Sequence, residues 1–246
     1  MTAVLVIAGT DSSGGAGLGR DIATLTHFGA AALAAVTAVT VQTDREVVAV
    51  ELLPARLVRA QIVAALASTA VGAIKAGMLG GRAIVEAVAE VLPPRERVPL
   101  VLDPVLAATS GGELLDAAGR DALRSRLLPR ATLLTPNIAE AATLLAAVPA
   151  TSPAEMLEQG RALCALGPAA VLMKGGHASG ALAIDWLVSR AGIVREFTAP
   201  RLARGRRGTG CALASAIAAA LAAGLALELA IERAKEHVTT LLRAGA

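Results

Sequence analysis

Four residues, Gly208-Thr209-Gly210-Cys211, stand directly ahead of a long apolar run. If that run is a helix, successive backbone N–H groups and a thiol meet at the positive end of its dipole, which suits an anion. Gly208 and Gly210 would then hold charge developing on a transferred phosphoryl group. Thr209 would share the phosphate, and the Cys211 thiol would titrate below the ~8.5 of a free cysteine. The plainer alternative is a glycine turn before a core helix, with Cys211 a small apolar residue.

Four other segments carry polar groups just after apolar runs. Lys174 ends one run and is followed by Gly175-Gly176-His177, so a cation and a close-approaching backbone face the same space. Asn137-x-x-Glu140 either caps a helix reciprocally or offers a carboxylate to hydrated Mg²⁺, and spacing alone does not separate the two. Asp103-Pro104-Val105 puts a carboxylate at a strand end. The loop Gly9–Gly17 follows the first apolar run, and Asp21 lies just beyond it. That loop lacks the Gly-Lys-Ser/Thr of a Walker P-loop and the Gly-x-Gly-x-x-Gly of a dinucleotide fold.

These segments need a scaffold that brings them to one edge. Short apolar runs alternate with amphipathic ones, the pattern of a βαβ protein with a parallel sheet buried on both faces. Strands are expected at Val4 to Ile7, Ala34 to Val41, Ala73 to Met78, Leu100 to Leu102, Ala131 to Leu134 and Ala170 to Lys174, with a late hairpin at Ala183 to Val188 and Val194 to Phe197. Helices are expected from Gly19 to Phe28, Pro54 to Ser68, Arg82 to Leu92, Asn137 to Ala146, Pro153 to Leu166, Cys211 to about Leu227, and Leu227 to Arg243. In such sheets ligands bind beyond the carboxyl ends of the strands. With 246 residues, no repeat and no long linker, one domain spanning 1–246 is the expected organisation.

Composition narrows the function. Hydrophobic residues make up 55% of the chain and aromatics 1%, so the core is aliphatic. A net charge of +3 spread along the chain, with almost no ring to stack on bases, argues against nucleic acid as a partner. The apolar run after Cys211 is shorter than the ~20 residues of a membrane span, and the N-terminal run lacks a signal peptide's basic flank. Two cysteines without metal-ligand spacing fit a reducing cytoplasm.

In order, Ala8–Gly17 with Asp21, Gln42, Gly77-Met78-Leu79, Leu102-Asp103-Pro104-Val105, Leu134–Ala141, Val171–His177, Asp185-Trp186-Leu187, Ala199-Pro200-Arg201 and Gly208–Cys211 resemble the hydroxymethylpyrimidine/phosphomethylpyrimidine kinases of thiamin biosynthesis, a branch of the ribokinase-like fold. The resemblance covers essentially the whole chain. It implies a three-layer α/β/α architecture around a mostly parallel sheet, ATP and Mg²⁺ as cofactors, a small pyrimidine as acceptor and a homodimer. It places Gly9, Asp21, Gln42, Met78 and Val105 at the pyrimidine and Cys211 beside the reacting hydroxymethyl group. Asn137 and Glu140 would serve Mg²⁺ and nucleotide phosphates, and Lys174 would face phosphate. Independently of the resemblance, the carboxylate of Asp103 at its strand end is a further candidate for the metal.

The chain departs from the family pattern at Gln42-Thr43-Asp44 (usually Gln-Asn-Thr), at Ala108-Thr109-Ser110-Gly111 (usually Ala-Lys-Ser-Gly) and at Gly205-Arg206-Arg207 (usually Asn-Thr-His). Either Arg206 or Arg207 replaces the missing contacts by reaching ATP or substrate phosphate, since an Arg fork suits phosphate oxygens, or the segment is a solvated basic loop. Two rival readings stand beside this one: a pyridoxal or pyridoxine kinase, and a regulatory domain that binds ligand without turnover.

Overall fold

Six consecutive buried residues, Ala3–Ala8, form the first strand, β1. Side chains alternate across a strand, and here they divide cleanly: Leu5 and Ile7 belong to one apolar cluster, Val4, Val6 and Ala8 to another. A strand of this kind is stable only inside a sheet covered on both faces.

The computed structural model describes residues 2–108, 111–176, 180–192, 194–202 and 207–244. Its strands are β1, β2 (Ala31–Val36), β3 (Ala38–Gln42), β4 (Val47–Leu52), β5 (Val71–Ala76), β6 (Leu100–Leu102), β7 (Leu133–Leu134), β8 (Ala170–Met173), β9 (Leu182–Ser189) and β10 (Val194–Pro200). Its helices are α1 (Gly17–His27), α2 (Ala55–Ser68), α3 (Arg82–Val91), α4 (Ala117–Ala122), α5 (Ile138–Leu145), α6 (Pro153–Ala165), α7 (Thr209–Ala222) and α8 (Leu227–Ala244). An eight-stranded sheet runs β10-β9-β8-β7-β6-β5-β1-β2. From β8 to β2 all neighbours pair in parallel, and β9 and β10 extend the sheet antiparallel.

One face is packed by α2, α3, α5 and α6, through Val58, Ile62, Val85, Leu144 and Leu163. The other is packed by α1, α7 and α8, through Leu25, Ile217 and Ile231. The expected three-layer α/β/α order is therefore present. Helix α7 is buried on nearly every side, from Ala212 to Ala220, which explains its run of alanines: small side chains allow close approach to the sheet and to α8.

The elements differ from expectation in places. One strand is expected over Ala34 to Val41, but the chain leaves the main sheet at Thr37. The buried Thr37 hydroxyl donates to the Met78 carbonyl at 2.7 Å, and its backbone bonds both Ala8 and Leu53. Beyond it, β3 pairs antiparallel with β4 in a separate two-stranded sheet. The sequence does not signal β4, because Val47 to Leu52 lacks the polar alternation of a half-buried strand. The stretch after Asp116 is also helical, as α4, a π-helical turn at Leu123–Leu127 and a 3₁₀ turn at Leu128–Arg130. Pro129 there removes a backbone donor and helps to end the run.

Strands β1, β5, β6, β7 and β8 end at the same sheet edge, and the polar segments follow those ends. The β1–α1 connection shows how tightly that edge is built. Gly17 has φ +57°, a Cβ on it would lie 2.5 Å from the Gly9 carbonyl oxygen, and that oxygen accepts from the Leu18 N–H at 3.0 Å. Gly17→Ala should lower stability by about 1–3 kcal/mol, read as a shifted urea midpoint at unchanged slope. A neutral or stabilising result would mean that this turn is not strained.

Candidate active site

At the β1 end, Gly9 is shaped by its neighbours: a Cβ there would lie 2.9 Å from Met78 Sδ and 3.5 Å from the Ala38 carbonyl oxygen. Gly9 and Met78, both expected at the acceptor, are therefore side by side. Gln42 ends β3 and is tied to the glycine loop: its N–H donates to Ser12 Oγ at 2.8 Å, and the Ser12 hydroxyl donates to its carbonyl at 2.9 Å. Thr40 reaches the Thr10 carbonyl at 2.9 Å. The small β3–β4 sheet is thus fastened over the loop. Val105 follows β6 at the same edge, its N–H bonded to the Asp103 carbonyl at 2.9 Å.

Asp103, Lys174 and Glu140 come together at the ends of β6, β7 and β8. Lys174 Nζ lies 2.9 Å from Asp103 Oδ1 and 3.8 Å from Glu140 Oε2, and the Thr135 hydroxyl also donates to Asp103 Oδ1 at 3.1 Å. Burial would raise the Asp103 pKa, but Lys174 and Lys75 outweigh it and hold the carboxyl below its usual range. Glu140 goes the other way: burial, with Asp103 adding to it and Lys174 opposing, pushes it up to about 7. Burial would lower the Lys174 pKa, yet Asp103 and Glu140 raise it, so the ammonium stays charged. Asn137 and Glu140 form the reciprocal capping box, at 2.8 and 2.7 Å.

For a metal, the described residues contain no group of three or more Asp, Glu, His or Cys side chains that could hold an ion by themselves. That donor set suits Mg²⁺ arriving on phosphates, because Mg²⁺ keeps several waters and takes one or two carboxylates from protein. Glu140 and Asp103 are the carboxylates that stand at this edge.

Helix α7 begins as expected. Gly208 precedes it with φ +75°, and a Cβ there would lie 2.2 Å from the Gly15 carbonyl oxygen. Ala212 N–H bonds the Gly208 carbonyl at 2.9 Å, which leaves the N–H groups of Thr209, Gly210 and Cys211 without intrahelical acceptors. A Cβ on Gly210 would sit 3.4 Å from Lys174 Nζ and 3.6 Å from Asp103 Oδ2. The helix start, the cation and the carboxylate thus border one space.

Three expectations need correction. The Cys211 thiol does not titrate low. Burial pushes it up to about 11, with Asp21 and Asp103 adding to the rise and with Lys75 and the Gly17 N–H working against it. The helix terminus does not overcome desolvation, and Cys211 is a neutral thiol at pH 7.

Asp21 is not free to meet a ring. It is fully buried, with Oδ2 2.9 Å from Lys75 Nζ and Oδ1 accepting from the Ser215 hydroxyl at 2.7 Å. Lys75 and Ser215 complete this buried cluster, and the spacing of polar segments does not point to either. The available signals were a lysine inside the apolar strand Ile74-Lys75-Ala76 and one serine inside an alanine helix, since a buried charge demands a partner.

Arg207 does not hold its fork open for phosphate. It bonds Asp11 Oδ2 at 2.9 Å, Ser13 Oγ at 3.0 Å and the Thr43 carbonyl at 2.7 Å. It ties α7's approach to the glycine loop and the β3–β4 turn. Thr109, Ser110, His177, Arg204, Gly205 and Arg206 lie outside the described residues.

The phosphomethylpyrimidine kinase family model matches residues 11–246. The hydroxymethylpyrimidine/phosphomethylpyrimidine kinase of Escherichia coli K12 is 46% identical over 213 residues, 86% of this chain and 80% of that one. The crystal structure of a phosphomethylpyrimidine kinase from Clostridium difficile 630 superposes with a TM-score of 0.86 at 34% identity, over 98% of this chain and 100% of that one. Staphylococcus aureus pyridoxal kinase in complex with pyridoxal superposes with a TM-score of 0.88 at 28% identity, over 99% of this chain and 88% of that one.

Two outcomes follow. In the ligand-free protein, the rate of Cys211 alkylation by iodoacetamide should climb with pH toward an inflection near 11, because only the thiolate reacts. A plateau already reached at neutral pH would restore the lowered thiol. Arg207→Ala should speed amide exchange at Ser13 and Ala16 while leaving the strands of the main sheet protected. Unchanged exchange in the loop would mean that Arg207 does not hold it.

Proposed function

Because the chain belongs to the phosphomethylpyrimidine kinase family, we propose that it transfers the γ-phosphoryl group of ATP to the hydroxymethyl group of 4-amino-5-hydroxymethyl-2-methylpyrimidine, and then a second one to the resulting monophosphate, in thiamin biosynthesis. The first step converts the alcohol and ATP into the monophosphate, ADP and a proton; the second converts the monophosphate and ATP into the diphosphate and ADP. The observation that carries this reading is the meeting of the α7 start with Lys174, Asp103 and Glu140 at one end of the parallel strands.

In this reading the ring lies against Gly9, Met78, Gln42 and Val105. Gln42 offers its side-chain amide to the polar edge of the pyrimidine. The N–H groups of Thr209, Gly210 and Cys211 receive the negative charge spread over the transferring phosphoryl oxygens, a contribution that needs no rearrangement at the moment of reaction. Lys174 adds a fixed positive charge that Asp103 holds in place. Positioning and charge carry most of phosphoryl transfer, so a neutral Cys211 suffices to orient the alcohol oxygen by hydrogen bonding. Mg²⁺ brought with ATP would be held by Glu140 and Asp103 and would neutralise phosphate charge as a Lewis acid.

The exposed aliphatic residues of the small sheet, Val39, Val41, Val48 and Leu52, support a homodimer in which a second copy covers β3 and β4. A two-stranded sheet standing alone is marginal in water. No described helix is long and apolar enough to cross a membrane, in keeping with a cytoplasmic enzyme.

Mass-resolved product analysis with the pyrimidine alcohol, its monophosphate and pyridoxine, each with ATP and Mg²⁺, tests the assignment. The pyrimidine should yield mono- and diphosphate and outpace pyridoxine. Faster turnover of pyridoxine would move the chain to the vitamin B6 kinases. ATP consumption in none of the three would leave a binding domain.

A further inference from the structure

Lys75 is the largest side chain that is fully buried among the described residues. It sits in β5 between Ile74 and Ala76, and its ammonium pairs with Asp21 of α1 at 2.9 Å. The second Asp21 oxygen accepts from Ser215 of α7 at 2.7 Å. Strand, first helix and seventh helix are therefore joined through one carboxylate. Replacing a buried ion pair with apolar residues of similar size is often neutral or stabilising, so packing alone does not account for this one.

Its position suggests the use. Ser215 follows Cys211 by four residues on α7, and residues so spaced stand on one face of a helix. The bond from Ser215 to Asp21 therefore fixes the face that carries the thiol and the rotation of the N–H groups from Thr209 to Cys211. On the other side, a Cβ on Gly77 would lie 2.7 Å from Lys75 Nζ. The ammonium thus lies directly beneath the backbone leading to Met78, beside Gly9. One cation supports both the acceptor wall and, through Asp21, the phosphate-binding helix.

We propose that Lys75, acting through Asp21 and Ser215, is a positioning residue for phosphoryl transfer that sets the start of α7, with Cys211, in register against the Gly9–Met78 wall. The catalytic part of this inference rests on the kinase reading. The positional part does not.

Two variants test it. Ser215→Ala cuts the link to α7 in a helix already rich in alanine and leaves the ion pair in place. Lys75→Met/Asp21→Asn removes both charges together, so neither is left buried alone. Misplacing reacting groups by about 1 Å can cost on the order of 10²-fold in rate. Both variants should therefore lose kcat on the pyrimidine alcohol, on the order of 10- to 100-fold, with KM for ATP and cooperative melting little changed. Ser215→Ala should also speed iodoacetamide alkylation of Cys211 at fixed pH, a readout independent of turnover. A parent-like kcat in both variants overturns the inference, as does a loss confined to KM for ATP or an unchanged alkylation rate in Ser215→Ala. If the parent turns over no pyrimidine yet alkylation responds to Ser215→Ala, the positional link stands and the substrate assignment falls.

Discussion

A lysine placed in the middle of a parallel sheet must find a negative charge, and the sheet itself offers only amides. Lys75 finds Asp21, which has to come from the helix crossing the sheet face, and Asp21 finds Ser215 on the neighbouring helix. Satisfying one ammonium therefore determines how α1 and α7 lie on β5. The glycine loop that starts α1 and the helix start that ends at Cys211 are placed as a consequence. Opposite them, a second lysine, Lys174, is satisfied by Asp103 at 2.9 Å and stands at the edge instead of beneath it. The chain thus uses one cation as a structural tie and one as a groove-facing charge, and their burial tells them apart.

The parts of the site that follow from backbone geometry could be read in the sequence. Glycines before an apolar run announce a helix start, and Gly208 to Cys211 supply it. Asn137 and Glu140 form their capping box, a local matter of residues three apart. What could not be read depends on contacts between distant residues. The partners of Asp21 lie 54 and 194 residues further along the chain. Nothing local distinguishes a carboxylate that meets a ligand from one that meets a buried lysine. The same holds for Arg207, whose fork matches phosphate and is instead taken up by Asp11, Ser13 and the Thr43 carbonyl. The separate β3–β4 sheet does not show in the sequence, because β4 has no polar alternation and reads the same whether it is central or paired outside the main sheet.

Cys211 shows two principles in competition. A helix N-terminus favours the thiolate, and burial disfavours it. Here burial wins: desolvation is the largest influence on the thiol, and Asp21 and Asp103 add to it while Lys75 opposes them. The thiol's value to the site is then directional: a small polarizable group at a fixed place beside three N–H groups. A phosphoryl acceptor need not lose its proton early for this to work, since in a loose transition state the attacking oxygen acquires little positive charge until the transfer is advanced.

The Asp21 junction also bears on how the chain is made. Ribosomes deliver residues from the N-terminus, so β1, α1 and β5 are available long before α7. Until Ser215 emerges, the face of β1 formed by Val4, Val6 and Ala8 has no α7 to cover it, and Asp21 has only Lys75. The nascent chain must therefore carry an aliphatic sheet face that α1 covers only in part for most of its synthesis, the condition under which aggregation competes with folding. The aliphatic composition that lets α7 seat closely on the finished sheet makes the waiting period hazardous.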